Sequence, residues 1–187
     1  MVNRSRSRSQ KSASKKPGAR PPIAKKRSAT KRAAVPALPV VACWEDDPGD
    51  PQMLPARTPI EVSAPSQAST PFAFRLRGPA PAPKVYALGT RDFLYYAVAS
   101  ALRRTASFWG GILPSGTRWQ VGSVLAVNVD AGADLNAFYT RCGMEPAGLY
   151  FFHEAVRGRV FNSGESPDIA SHEMGHAILD AIQPDLY

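Results

Sequence analysis

Two stretches in the second half of the chain have apolar residues at the spacing of an α-helix. The first runs from Thr90, whose side chain can cap a helix, to Phe108. The residues that recur at this spacing, and so form a stripe along one face of the helix, are Leu94, Val98, Ala101, Leu102, Thr105 and Phe108. Because Gly110 and Gly111 follow, we predict a core-packing helix that ends there.

The last helix is the best specified element of the sequence. Ser166 can cap it, Pro167 suits the first helical position, and Asp168 favours the positive helix start. Pro184 disfavours a helical conformation in the residue before it. We therefore predict a helix from Pro167 to about Ile182.

Short apolar segments between the two helices predict strands. They are Trp119–Val129, Asn136–Tyr139, Leu149–Phe152 and Arg159–Asn162, with a turn at Ser163-Gly164. The order of helix, several strands and helix predicts an α+β domain without a repeat.

Residues 1–83 differ from this pattern. They are rich in Ser, Arg and Lys and then in Pro and Ala, and 14 of the 18 prolines lie at or before Pro83. Such a segment buries too little apolar surface to offset ~1–2 kcal/mol of backbone entropy per residue. We therefore expect residues 1–83 to be disordered and residues 84–187 to form the folded region.

The charge of the chain is concentrated in this segment. Residues 1–34 hold twelve Lys and Arg and no acid, so the net charge of +8 leaves −4 for the rest. Such a tail suits non-specific binding to nucleic acid or to an anionic surface. A solvated tail without a specific partner is the favoured interpretation, because no aromatic residues are interleaved with the cations to stack on bases.

Few features indicate a compartment. No run approaches the ~20 apolar residues of a membrane-spanning helix, which argues against an integral membrane protein. Cys43 and Cys142 do not make a disulfide framework. The segment from Ala33 to Cys43 resembles a lipoprotein cleavage region, but Pro36 and Pro39 interrupt it. We expect a cytoplasmic protein, while export or organelle targeting stays an alternative.

The last predicted helix contains His172-Glu173-Met174-Gly175-His176, the H-E-x-x-H pattern of zinc peptidases. Four residues is close to one helical turn, so the imidazoles of His172 and His176 project from one face and can reach one divalent ion. Glu173 lies about 100° around the helix, near enough to take a proton from water that Zn²⁺ has acidified. The alternative is an ordinary amphipathic helix with two unrelated histidines.

Gly175 adds a structural expectation. Glycine in a helix interior costs ~1 kcal/mol relative to alanine. We therefore expect another strand or loop to approach the helix closely at this position.

The segment from about Asp130 to Tyr187 resembles the gluzincin metallopeptidases, the clan typified by thermolysin-like neutral proteases. In that family, a strand with Asn-Ala-Phe-aromatic precedes the zinc helix and binds the substrate backbone, and Asn136–Tyr139 is similar to it. The helix from Asp168 to Asp180 is similar too, with an acid four residues before the first histidine and another four after the second.

The resemblance implies a zincin-like partial domain that acts on a peptide or protein substrate. It implies that His172 and His176 bind Zn²⁺, that Glu173 is the catalytic base, and that Asn136 and Ala137 contact the substrate backbone.

The sequence departs from the family at the third zinc ligand. In gluzincins this ligand is a Glu on the next helix, roughly two dozen residues after the motif, whereas 11 residues follow His176 here. Asp180 lies ~6 Å further along the same helix and is a poor substitute. Asp185, His153 and Glu154 are weak candidates. We expect the chain to be the N-terminal portion of a zinc peptidase, truncated or fragmentary, without the helical second lobe.

Three hypotheses for function follow. The leading one is a zinc metallopeptidase, and the second is a non-catalytic remnant that binds peptide along residues 136–139. The third is a binder of nucleic acid or anionic surfaces through residues 1–34.

Overall fold

A computed structural model describes residues 38–48, 57–69 and 71–186 of the protein. All of these lie in one unit that spans residues 37–187. The basic tail of residues 1–34, with its predicted disorder and partners, lies outside the described residues. The described part is a mixed α+β fold with two long helices and several small sheets.

Helix α1 spans Arg91–Gly110, and the Thr90 side chain caps it by accepting from the amide of Phe93 at 3.1 Å. The expected helix is thus confirmed, and it ends at the glycine pair. Its predicted stripe is buried except for Phe108, which is 62% exposed. The neighbouring Trp109 packs against the core instead.

The central sheet contains four strands. They are β3 (Phe74–Leu76), β4 (Leu125–Asn128), β6 (Gly148–Phe151) and β5 (Ala137–Thr140), in that spatial order. The first three are parallel, whereas β5 pairs antiparallel with β6 and forms one edge of the sheet. A Cβ on Gly148 would lie 2.6 Å from the carbonyl oxygen of Ala126, so this strand contact depends on glycine.

Two further pairs of strands form separate two-stranded sheets. Strands β1 (Val40–Cys43) and β2 (Ile60–Ser63) pair antiparallel, as do β7 (His153–Val156) and β8 (Arg159–Asn162). A 3₁₀ turn at Ser163–Glu165 then leads into helix α2, which spans Pro167–Ile182. The predicted bounds of β8 and α2 agree with these.

The folded region begins well before Lys84, where the sequence analysis placed its start. Val41 and Phe72 are fully buried, and Phe74 is almost so, in the same core as α1 and the central sheet. The described prolines of this segment all lie outside the short strands, so the apolar residues of the strands still reach the core. The expected disorder of residues 1–83 is therefore corrected for Val41, Phe72 and Phe74, which are core residues.

The predicted strand at Trp119–Val129 is shorter than expected. Only Leu125–Asn128 is a strand, because Gly122 adopts a positive φ of 111° in a turn before it. The Trp119 indole is nevertheless buried, and its Nε1 donates to the carbonyl of Ala73 at 2.7 Å. Both cysteines are free, and no helix in the described ranges is both long and apolar enough to cross a membrane.

Candidate functional site

Helix α2 carries the candidate metal ligands, and its N-terminus is stabilised by capping. The Ser166 hydroxyl accepts from the amide of Ile169 at 3.2 Å and donates to the carboxylate of Asp47 at 2.6 Å. Pro167 occupies the first turn, where its missing N–H leaves no unpaired donor. The segment after β1 therefore holds the start of the helix.

One face of α2 packs into the core. Its buried residues are Pro167, Ala170, Glu173, Met174, Ala177, Ile178 and Asp180. The Thr105 hydroxyl of α1 hydrogen-bonds that of Ser171 at 2.8 Å. This packing fixes the rotation of α2 about its axis and thereby determines which residues face solvent.

The end of α2 is held by a buried carboxylate. Asp180 has no exposed surface, and its two oxygens accept from the Tyr139 hydroxyl at 2.7 Å and from the Arg141 guanidinium at 2.9 Å. Arg141 also donates to the carbonyl of Pro184 at 3.1 Å. This network ties the helix to β5 and to the turn after the helix.

The two histidines of the motif lie together on the exposed side of α2. The Nε2 atoms of His172 and His176 are 3.0 Å apart, and their rings are nearly perpendicular. Two imidazoles on one tetrahedral zinc, with Zn–N bonds of about 2.0–2.1 Å, would place these nitrogens about 3.3 Å apart. The observed separation thus fits a shared metal after a shift of a few tenths of an ångström.

Glu173 is largely buried beside this pair, at 8% exposure. Burial raises the pKa of its carboxyl, while His176, His172 and the backbone amide of Tyr139, which donates to it, act in the opposite direction. A carboxylate with a raised pKa in a partly dry site is a suitable proton acceptor. Because the Tyr139 amide lies on β5, Glu173 sits where the helix meets the sheet edge.

Two cavities meet at Glu173. The larger is a groove of about 1070 Å³ that is also lined by Asn136 and Ala137, and the smaller, of about 260 Å³, is also lined by Asp168 and His172. The amide of Ala137 is engaged by the Asn136 side chain at 2.9 Å. The structure therefore brings the predicted base and the predicted substrate contacts into one groove, whereas neither histidine lines that groove and His172 lines the smaller cavity beside it.

None of the weak candidates for a third ligand joins the histidine pair. Asp180 is engaged by Tyr139 and Arg141, and His153 Nδ1 bonds Asp130 at 2.7 Å. Glu154 accepts from the amide of Ala155 at 2.8 Å, and Asp185 is exposed in the turn after α2. Within the described ranges, no cluster of three or more His, Cys, Asp or Glu could hold a metal.

The expectation for Gly175 is wrong. A Cβ at this position would meet no atom within 4 Å, so no strand or loop packs against it. The close approach occurs at Gly164, just before α2, where a Cβ would lie 2.7 Å from the Val98 side chain of α1. The close packing against α1 therefore occurs at the 3₁₀ turn that precedes α2.

Sequence reasoning missed several residues of the groove. Its walls include Trp44, from the segment expected to be disordered, as well as the Asp130–His153 pair. The apolar run before Trp44 was the only signal for its burial. No local pattern links Asp130 to His153, because the sheet brings them together from 23 positions apart.

Comparisons of the chain with protein-family models, with curated proteins and with solved structures give no match.

Proposed function

We propose that this protein is a zinc-dependent peptidase with a zincin-like, gluzincin-type active-site helix. The observation that carries the proposal is the convergence of His172 and His176 on an exposed face, with Glu173 buried beside them in a groove next to a sheet edge. The two histidines would hold the metal. Glu173 would act as the general base for the water that attacks the peptide carbonyl.

The residues have distinct tasks in this reaction. Zinc, when bound, supplies a Lewis acid that makes water acidic enough to be used near neutral pH. Glu173 accepts the proton of that water and delivers it to the leaving amine. The Tyr139 amide fixes the carboxylate of Glu173, and Asn136 and Ala137 align the peptide backbone along β5.

Two histidines make an incomplete catalytic zinc site, since such sites have three protein ligands and a water. We propose that the third ligand comes from outside the described residues or from a partner. The protein should then bind zinc more weakly than a complete site does. Its hydrolysis should also be slow, because groups that stabilise the tetrahedral intermediate are incomplete as well.

Zinc binding tests the metal part of the proposal. We expect His172→Ala and His176→Ala each to abolish zinc binding in equilibrium dialysis, because a single imidazole cannot retain the ion. His153→Ala is the matched control and should bind zinc like the wild type, since His153 pairs with Asp130 instead. Equal zinc binding by all three variants would overturn the metal site.

Hydrolysis tests the role of Glu173. We expect Glu173→Gln to retain zinc but to cleave a fluorogenic peptide about a hundredfold more slowly, since an amide cannot accept the proton. Glu154→Gln, a control on strand β7 that does not line the groove, should leave the rate unchanged. A Glu173→Gln variant that cleaves at the wild-type rate would rule out general-base catalysis by this residue.

A second candidate is a peptide-binding protein without catalysis. The absence of a third ligand near the histidines among the described residues favours it. The two candidates differ in one measurement: a non-catalytic protein binds peptide in the groove but shows no zinc-dependent cleavage at any metal concentration.

A further inference from the structure

The large groove contains both acidic and basic side chains, and their partners differ. All four carboxylates that line it are held by neighbours. Asp47 accepts from Ser166, Asp130 pairs with His153, Glu165 accepts from Asn162 at 3.2 Å, and Glu173 accepts from the Tyr139 amide. Each acid of the groove thus has a hydrogen-bonding partner within the protein.

Two of the three arginines that line the groove lack such a partner among the described residues. Arg57 is held by the backbone of Asp47 and by the carboxylate of Asp46. Within the described ranges, in contrast, the side chains of Arg91 and Arg159 make no hydrogen bond and no ion pair, and the Arg159 guanidinium lies over the Phe161 ring. These two guanidinium groups therefore offer their N–H donors to the groove.

Apolar side chains also line the groove while remaining open to solvent. Leu135 is 71% exposed and Val160 is 63% exposed, and Phe161 beside Arg159 is 37% exposed. Exposed apolar residues grouped in one concave site mark a binding surface. A ligand that covers them needs apolar groups of its own.

The edge strand β5 indicates the shape of that ligand. Asn136 and Ala137 bring the edge of the sheet into the groove, and an extended peptide is the shape of ligand that lies along such an edge. Because the amides of Ala137 and Tyr139 already donate to Asn136 and Glu173, side-chain contacts rather than strand pairing would dominate the binding of such a peptide. Its side chains would reach the apolar walls. Its carboxylates, if present, would meet donors that no protein group occupies.

We propose that the groove binds extended peptides that combine apolar and acidic side chains, with the carboxylates held by Arg91 and Arg159. This inference rests on the proposed function in that it names the class of substrate, but peptide binding does not require the metal. Guanidinium groups bind carboxylates with good geometry and selectivity. A lysine side chain placed at the same two positions would instead be repelled by these guanidinium groups.

The test is fluorescence anisotropy with the whole chain and a labelled peptide of alternating leucine and glutamate. Peptides with glutamine or lysine in place of glutamate serve as comparisons, and EDTA prevents cleavage. We expect the glutamate peptide to bind best and the lysine peptide worst, with binding that weakens as salt is added. Equal affinity for the three peptides, or no binding of any, would overturn the proposal.

Arginine variants test the named residues. Arg91→Gln and Arg159→Gln should each weaken binding of the glutamate peptide about fivefold, as expected for an exposed ion pair. Both should leave the glutamine peptide unaffected. Arg75→Gln, an exposed arginine of β3 outside the groove, is the matched control. If both groove variants bind the glutamate peptide as Arg75→Gln does, the assignment fails.

The two proposals can fail separately. Loss of zinc binding in His172→Ala with acidic-peptide binding intact leaves this inference in place whatever becomes of the peptidase. Zinc-dependent cleavage without any preference for acidic peptides supports the peptidase and removes the inference.

Discussion

The two faces of helix α2 differ in how completely their side chains are packed and hydrogen-bonded. On the buried face, Met174 and Ile178 pack in the core and both oxygens of Asp180 are hydrogen-bonded. On the opposite face, His172 and His176 bond to each other, between apolar residues that are partly open to solvent. These are Ile169, Leu179 and Ile182.

The difference shows which residues the fold needs. The buried face is fixed by packing, and replacing its residues should destabilise the protein. Two imidazoles on a partly exposed surface contribute little to the core, so replacing them should leave the stability nearly unchanged. Substitutions on one face at a time therefore measure how independent the two faces are.

The largest effect is expected at Asp180. Asp180→Ala should lower the free energy of unfolding by about 4 kcal/mol, because it removes a buried carboxylate and leaves Arg141 and Tyr139 without their partner. Urea denaturation measures this. Asp185→Ala, in the exposed turn that follows, should unfold like the wild type. Similar midpoints for the two variants would mean that the network does not hold the helix end.

A smaller loss is expected in the core itself. Met174→Ala should reduce the free energy of unfolding by about 3 kcal/mol, since it opens a cavity where Met174 is fully buried. Met144 is fully exposed, so Met144→Ala provides the same substitution without a cavity. Thermal unfolding distinguishes them, and a normal melting temperature for Met174→Ala would contradict the packing described here.

The smallest effect has the opposite sign. Gly175→Ala should stabilise the protein by about 1 kcal/mol, because alanine favours the helix and nothing lies within 4 Å of the new methyl group. Gly164→Ala is the contrasting variant and should destabilise, since its methyl group would meet Val98. Destabilisation by Gly175→Ala would show that the open side of the helix is more crowded than described.

The two helices could be predicted from the sequence because their signals are local. Thr90 and Ser166 cap helices within three residues of themselves, and the apolar stripes repeat within each helix. The proximity of His172 and His176 also follows from spacing alone. Spacing along one helix carries no information about other elements, so the residues that other elements place around this pair could not be predicted.

The missed features depend on pairing across long distances in sequence. Strand β3 has only three residues and lies among prolines, so it has no period to detect, yet its register places Phe74 beside Leu125. The contacts of Asp180 with Tyr139 and Arg141 join positions about 40 residues apart. Such contacts arise from the topology of the sheet and leave no mark in a local window.

The parallel pairing of β3 with β4 has a consequence for how the protein reaches its folded state. The two strands are about 50 residues apart in sequence, and α1 lies between them. Pairing them closes a long loop, and the entropy of the loop is lost before the strands gain a stabilising contact. Topologies of this kind therefore fold slowly. During synthesis, Phe72 and Phe74 therefore cannot be buried in the core until β4 has been made. Helix α1 can form as soon as its own residues are available.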